Sequence, residues 1–328
     1  MRFLLDDEQR EFARSLDAML GSADIPAAVR AWAGGDPVPG RALWSRLAEA
    51  GVFALAVPER HEGLGPLPVE LAVAFTELGR HAVPGPVVET VAAAALLGRV
   101  GDGACAALLP QIASGRTVVS LCVPDTGSPY ALDADTADAV LVVEGDTVRL
   151  AERAGPVQPS ADPARRLARP LGGSVLARGP AVAAAAAHAA EVASLVTAAQ
   201  CLGLGRALLD RTVAYVRQRT QFGVAIGSFQ AVKHRLADTL IALEFAQPLL
   251  HAAALALAEG SGRASAEVAA AKVTAGEAAY AAARTALQLH GAVGYTEELN
   301  LALWIRKARP LRDAWGTPAA CRARVLAP

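Results

Sequence analysis

The sequence lacks the excess of basic residues typical of nucleic-acid-binding proteins and the strongly hydrophobic runs typical of membrane proteins. Its 328 residues include 31 Lys and Arg against 32 Asp and Glu, a formal charge of −1. There is thus no surplus of positive charge to neutralise phosphates, and we expect no nucleic-acid partner. The apolar fraction of 53% relies on Ala, in stretches such as 182–190. Such stretches carry too little hydrophobicity to predict a bilayer span, so we expect no membrane attachment.

Cysteine is scarce and dispersed. No Cys-x-x-Cys pair is present, and the four cysteines are Cys105, Cys122, Cys201 and Cys321. This usage is typical of free thiols in a reducing compartment and indicates neither a disulfide framework nor a zinc site. Residues 1–9 contain Asp6, Asp7 and Glu8 but no apolar core of a secretion signal. We therefore expect a cytoplasmic protein.

The common motifs of nucleotide and metal chemistry are also missing. The sequence has no Gly-x-x-x-x-Gly-Lys-Ser/Thr loop and no Gly-x-Ser-x-Gly elbow. Gly203-Leu204-Gly205 lacks the third glycine of a dinucleotide-binding loop and lies inside a helical pattern. None of the six histidines forms a metal-ligand pair on one helix, so we expect no metal site. These residues alone identify no active site.

Hydrophobic spacing divides the chain into three segments. Residues 1–114 repeat apolar residues at intervals of three and four and predict a helical domain. Residues 115–180 contain β-branched runs and predict a small β domain. Residues 181–328 predict a C-terminal four-helix bundle, which makes the fold class mainly α with a small β domain. The predicted strands lie at 117–123, 139–143 and 147–150, and the predicted bundle helices at 182–218, 229–258, 265–290 and 298–309.

Three stretches of the last segment contain residues suited to an anion. Arg219-Thr220-Gln221-Phe222-Gly223 follows a long helix, where a cation, an aromatic ring and a glycine turn can hold a diphosphate. Gly291 and Gly294 follow a later helix and can expose backbone N–H groups. Residues 303–317 hold four basic residues within seven positions. Each stretch is also explained as an ordinary turn or a solvated helix end.

In this order and spacing, the three stretches resemble the acyl-CoA dehydrogenase family. The likeness extends over nearly the whole chain and includes Trp44, Pro58-Glu59 and the loop Gly63-Leu64-Gly65. It implies a helical domain, a β domain and a four-helix bundle, with FAD held between bundle and β domain. It also implies a dimer or a tetramer.

The resemblance implies a role for each matching residue. Arg219 would meet the FAD diphosphate, Phe222 would pack near its adenosine side, and Gln230 would hydrogen-bond adenine or ribose. Family pattern places these three on the FAD of the neighbouring subunit. The other implied cofactor-binding residues are Gln288, Gly291 and Gly294 along the diphosphate and adenine path, and Thr317 near the reactive end of the flavin.

The implied reaction needs a carboxylate base in a dry pocket, because a Cα proton leaves while a hydride passes from Cβ to the flavin. The commonest family pattern has its Glu at the position of Trp315, and indole has no basic atom. The remaining catalytic candidates are Asp313, two residues before Trp315, and Glu191, near the position that a second subgroup uses. Asp313 is also explained as an ion-pair partner of Arg309 or Arg312, and Glu191 as a solvated helix residue.

Three functions follow from the resemblance. The first is FAD-dependent α,β-desaturation of an acyl thioester carried by CoA or by a carrier protein, with electrons passed to an electron-transfer acceptor. The second is a non-catalytic or half-site subunit, in which a larger family member supplies the base. The third is a biosynthetic acyl-thioester enzyme without net desaturation. The assembly is accordingly a homo-oligomer or a heteromer.

Overall fold

A computed structural model describes residues 4–101, 103–124 and 128–327. The chain divides into two compact units. The bundle unit comprises Met1–Ser22, Ala72–Val83 and Thr197–Pro328, and the sheet unit comprises Ala23–Leu71 and Pro84–Val196. The division into three segments at residues 114 and 180 remains a prediction.

Helices account for most of the described chain, as the periodicity predicts. Their starts follow from local chemistry: Asp6 accepts a hydrogen bond from Gln9 N at 2.8 Å and Asp24 from Ala27 N at 3.1 Å, so each caps a helix. In chain order the helices are α1 (Asp7–Gly21), α2 (Ile25–Ala33), α3 (Val38–Glu49), α4 (Pro68–Arg80), α5 (Val87–Val100), α6 (Ala104–Ala113), α7 (Pro180–Gln218), α8 (Gln230–Ala258), α9 (Ala264–His290), α10 (Leu301–Asp313) and α11 (Pro318–Leu326).

Two small sheets lie in the sheet unit. Their strands are β1 (Val119–Cys122), β2 (Ala131–Leu132), β3 (Ala139–Glu144), β4 (Thr147–Leu150), β5 (Arg153–Gln158), β6 (Leu167–Leu171) and β7 (Ser174–Arg178). One sheet has the order β1-β3-β4-β7, with β1 and β3 parallel; the other has the order β2-β6-β5 and is antiparallel. The three strands predicted at 117–123, 139–143 and 147–150 correspond to β1, β3 and β4. The mainly helical fold with a small β domain is thereby confirmed.

In the bundle unit, α9 packs against α8, α10 and α11. The helix predicted to end at residue 309 continues to Asp313, because Pro310 lies inside it and does not end it. The Pro310 carbonyl accepts a hydrogen bond from Ala314 N at 2.9 Å and closes the last turn. A further short helix, α11, follows and was not predicted.

Helices α4 and α7 meet backbone to backbone. A Cβ built at Gly203 on α7 would lie 1.8 Å from the Thr76 carbonyl oxygen on α4. Reciprocally, a Cβ at Gly79 on α4 would lie 2.1 Å from the Gln200 carbonyl oxygen. Only glycine fits at these two positions, so the Gly203 pair serves helix packing, in agreement with its predicted place inside a helix.

Helices α7 and α8 are long and apolar enough to cross a membrane by composition alone. Of the most apolar 18-residue stretch of α7, 94% is buried, as in a core helix. Of the corresponding stretch of α8, only 39% is buried. A stripe along α8 leaves large side chains exposed: Leu240, Ile241, Phe245 and Leu249. We call this stripe the α8 apolar face.

Candidate functional site

Arg219 lies directly after α7, in a turn that exposes its side chain. The backbone on both sides of the turn is fixed: Arg219 N donates to the Tyr215 carbonyl at 2.9 Å, and the Arg219 carbonyl accepts from Ile226 N at 2.8 Å. The guanidinium is therefore presented to solvent from a rigid backbone, as an anion site requires.

Phe222 stands at the tip of a short hairpin formed by strands β8 (Thr220–Gln221) and β9 (Val224–Ala225). Phe222 and Gly223 have φ values of 56° and 81°, and such left-handed values allow a two-residue hairpin turn. For Phe222 this conformation costs about 1 kcal/mol. Its ring is 90% exposed and meets Phe229 edge to face, with centroids 6.4 Å apart. The sequence predicted a turn here but not the hairpin.

The glycine turn begins where α9 ends. Gly291 has a φ of 64°, and a Cβ built on it would meet nothing within 4 Å. Its N–H donates to the Leu287 carbonyl, so it is not the exposed donor that the sequence suggested. What Gly291 provides is room for a ligand to approach the backbone closely. Gly294 is buried, with a built Cβ 3.2 Å from the Cβ of His290. Gln288 is exposed in the last turn of α9.

A ring stack joins these two turns. The rings of Tyr215 and His290 lie 4.0 Å apart between centroids, at an interplanar angle of 22°. His290 Nδ1 lies 2.8 Å from the Ala286 carbonyl oxygen, and burial lowers the pKa of the imidazole. The stack thus consists of neutral rings at ordinary pH. The stack brings together the stretches that contain Arg219 and Gly291. The sequence shows the order of these stretches along the chain but not that they are neighbours.

The residues of these turns fit the cofactor that the resemblance implies. An exposed guanidinium suits a diphosphate, an exposed aromatic ring suits the adenosine side, and a glycine without neighbours admits a flat ligand against the backbone. Gln230, the exposed first residue of α8, adds an amide that can donate and accept.

The junction between α10 and α11 contains Asp313, Trp315 and Thr317. Asp313 ends α10; its carboxylate is 43% exposed and accepts from Arg312 Nε at 3.2 Å, which is one of the two ion pairs that the sequence suggested. Trp315 is half-buried with a φ of 52°. Thr317 caps α11 by accepting from Ala320 N at 3.3 Å. Glu191, the other candidate base, is half-buried on α7 in the sheet unit.

Lys272 is a site residue that the sequence did not reveal. Its side chain is fully buried in the middle of α9, and its Nζ donates to the carbonyls of Arg312 at 2.8 Å and of Gly316 at 3.2 Å. A lysine among the small apolar residues of α9 was the available signal, because a buried ammonium needs partners.

A cluster of titratable side chains was also not predicted from the sequence. Polar atoms of Asp17, Glu77 and His81 lie within 4.8 Å of one another, close enough to share a cation. His81 Nε2 and Asp17 Oδ1 are 2.7 Å apart, and Arg80 Nε is 3.8 Å from the same oxygen. Burial, followed by the charge of Asp17, raises the pKa of Glu77 to about 7. With Arg80 present, the cluster is an ion-pair network between α1 and α4.

Asp133 in the sheet unit is a second buried acid. It accepts from Trp32 Nε1 at 3.0 Å and from Arg166 N at 3.3 Å, both through Oδ1. Complete burial raises its pKa to about 7, against the opposing effect of the Trp32 hydrogen bond. These contacts connect α2 to the end of β2.

Two family models cover most of the chain. Residues 6–116 match the model described as "Acyl-CoA dehydrogenase, N-terminal domain". Residues 183–327 match the one described as "Acyl-CoA dehydrogenase, C-terminal domain". The candidate cofactor-binding residues, from Arg219 to Thr317, all lie within the second match.

Individual proteins match over nearly their whole length. The chain is 33% identical to acyl-CoA dehydrogenase IpdE2 of Mycobacterium tuberculosis, over 92% of this chain and 91% of the relative. It is 31% identical to the protein of that name from Mycolicibacterium smegmatis, over 95% and 96%. Among solved structures, the ChsE4-ChsE5 complex of Mycobacterium tuberculosis matches with a TM-score of 0.82 at 24% identity, covering 99% of this chain and 98% of that one.

Proposed function

The chain belongs to the acyl-CoA dehydrogenase family, and we propose that it is a FAD-dependent oxidoreductase that desaturates an acyl thioester between Cα and Cβ. One structural observation supports this above the others. The turn of Arg219 and the turn of Gly291 are joined by the stack of Tyr215 on His290, and both turns are open to solvent. An exposed guanidinium on one turn and, on the other, a glycine with nothing within 4 Å of a built Cβ suit a dinucleotide.

Each residue then has a task that matches its geometry. Arg219 donates to the diphosphate, Phe222 covers the adenosine side, and Gln230 hydrogen-bonds adenine or ribose. The second turn lines the same path with Gln288, Gly291 and Gly294, and Thr317 lies at the reactive end.

The α8 apolar face supports assembly with a second subunit. Its side chains, such as Phe245 with 69% of its surface exposed, form a larger apolar patch than an isolated chain is expected to expose to water. Because α8 begins directly after the turn of Arg219 and Phe222, a subunit docked on this face would bring its own FAD towards that turn. We propose a homo-oligomer or a heteromer in the cytoplasm.

The chemistry divides between cofactor and chain. When bound, FAD supplies the hydride acceptor. The chain must hold the thioester, keep water out and receive the Cα proton. Trp315 cannot receive it, although its backbone N–H can donate to a thioester oxygen. Asp313 and Glu191 are the candidate bases of this chain.

Trp315 also supports a second candidate function. If neither Asp313 nor Glu191 reaches the substrate, the chain is the half-site subunit of a heteromer whose larger partner supplies the base. The solved complex with this fold likewise joins two differently named proteins.

The deciding experiment is the composition of the native assembly. We expect purified protein to contain FAD, and an acyl-CoA to bleach the flavin spectrum under anaerobic conditions. Protein that holds FAD but is bleached only after a larger family member is added would support the half-site subunit. A colourless monomer that takes up no FAD, alone or with such a partner, would refute both.

A further inference from the structure

Three residues of α9 lie on one face of the helix and contact the end of α10. Lys272, Gly276 and Tyr280 are spaced by four residues, which aligns their side chains. The Arg312 guanidinium carbon lies 4.9 Å from the centre of the Tyr280 ring. A Cβ built at Gly276 would lie 3.3 Å from Arg312 Cγ, so the glycine allows the close approach. We call the three residues the α9 clamp.

Lys272 makes the polar contacts of the clamp. The carbonyl of Arg312 belongs to the last turn of α10, where helices leave acceptors unpaired and carry partial negative charge. The carbonyl of Gly316 lies just before α11. The Lys272 ammonium donates to both, at 2.8 Å and 3.2 Å, and therefore bridges the two sides of the turn.

The bridged turn is the strained part of the junction. Trp315 has a φ of 52°, which disfavours a residue with a side chain, and Gly316 has a φ of 133°. Such conformations persist only where the surroundings determine them. Lys272 is fully buried and donates to carbonyls on both sides of Trp315, so it is the group placed to do so.

We propose that Lys272 is a positioning residue that fixes the Trp315 turn for cofactor and substrate binding. Through the turn it sets the indole of Trp315 and the start of α11 at Thr317. The importance of the turn rests on the proposed function, whereas the clamp itself can be measured without flavin.

The experiment uses the flavin-free full-length protein labelled with 5-fluorotryptophan. Four tryptophans give four ¹⁹F signals, and Trp315→Phe identifies one of them. We expect Lys272→Met to shift or broaden the Trp315 signal and to leave the other three in place. FAD affinity should fall about tenfold, because a turn that Lys272 no longer holds must be ordered on binding, and Lys272→Arg should restore part of it.

Lys233→Met, at an exposed lysine of α8, is the control for the substitution itself. It should leave the Trp315 signal unchanged. A folded Lys272→Met protein with the wild-type Trp315 signal would overturn the proposal, as would equal shifts of all four signals. If Lys272→Met does not fold, Lys272→Gln, which also lacks the ammonium, decides between the same outcomes. Wild-type protein that binds no FAD refutes the proposed function instead, and the ¹⁹F comparison still tests the clamp.

Discussion

Tyr215 and His290 stack with their ring centroids 4.0 Å apart, although one lies near the end of α7 and the other ends α9. The Tyr215 carbonyl accepts the N–H of Arg219, and His290 directly precedes Gly291. The stack therefore determines the separation of the two turns that would hold a dinucleotide.

Removing one ring of the stack should weaken FAD binding. Tyr215→Leu loses about 1 kcal/mol of ring interaction, so we expect FAD affinity to fall about fivefold. Tyr215→Phe retains the ring and should bind as the wild type does. Fluorescence titration with FAD measures both, and an equal loss in the two variants would show that the stack is not the cause.

Arg219→Ala should lower flavin occupancy more strongly. The loss of a charge-assisted contact to a diphosphate predicts about a tenfold or greater fall in affinity. Arg217 is also exposed, two residues earlier on α7, and Arg217→Ala is the matched control. Flavin absorbance per protein after gel filtration is the measurement. Unchanged occupancy in Arg219→Ala would remove the diphosphate assignment.

A carboxylate at position 315 should introduce a base. In Trp315→Glu with FAD bound, we expect exchange of the Cα proton of an acyl-CoA with deuterated water to rise about a hundredfold or more. Trp315→Gln is similar in size to Trp315→Glu but has no basic oxygen, so its exchange should stay at the wild-type rate. Mass spectrometry of the recovered thioester follows the exchange. Equal rates in the Glu and Gln variants would indicate that residue 315 does not reach the substrate.

Asp133 should make stability depend on pH. Its pKa is about 7 in the folded chain and 3.8 ordinarily, so the folded chain retains a proton that the unfolded chain releases. Stability from this group is fully present below about pH 3.8 and is lost as pH rises from there through about 7, above which both states are ionised. Asp133→Asn cannot ionise, and its stability relative to wild type should rise by at least about 1 kcal/mol across this range. Urea denaturation at several pH values tests this; parallel curves would contradict it.

The contact between α4 and α7 should not accept a methyl group. Gly203→Ala places a Cβ 1.8 Å from the Thr76 carbonyl oxygen, so we expect a loss of about 2 kcal/mol or more of unfolding free energy. A Cβ at Gly262 would meet nothing within 4 Å, and Gly262→Ala should stay within about 0.5 kcal/mol of wild type. Thermal unfolding compares them. Similar melting temperatures for the two variants would exclude close backbone packing.

The long helices and the buried strands were predictable because each carries its own periodic pattern. The runs that became β1 and β3 are buried and β-branched, so they stand out in the sequence. Strand β5 contains Gly155 and Pro156 and is largely exposed, and its pairing with β6 decides its conformation.

The candidate residues of the site were predicted from the sequence and remain a prediction, whereas their arrangement was not predicted. Arg219 and Gly291 were identified from local composition, whereas the stack of Tyr215 on His290 depends on how two helices pack. The contacts of Lys272 were likewise not predictable. Its partners are backbone carbonyls, which every residue type has, so the sequence does not show which residues they belong to. Interactions of this kind leave no pattern in a single sequence.

The glycine contact between α4 and α7 limits how the bundle unit can move. The two backbones touch here without intervening side chains. If α7 shifted along α4 by one residue, the side chain of Leu202 or Leu204 would replace Gly203 and press against α4. Helix α7 therefore cannot slide along its neighbour as helices with interdigitated side chains can. The contact thereby anchors α7, so that Arg219, about four helical turns beyond Gly203, projects from a helix whose axial position is set.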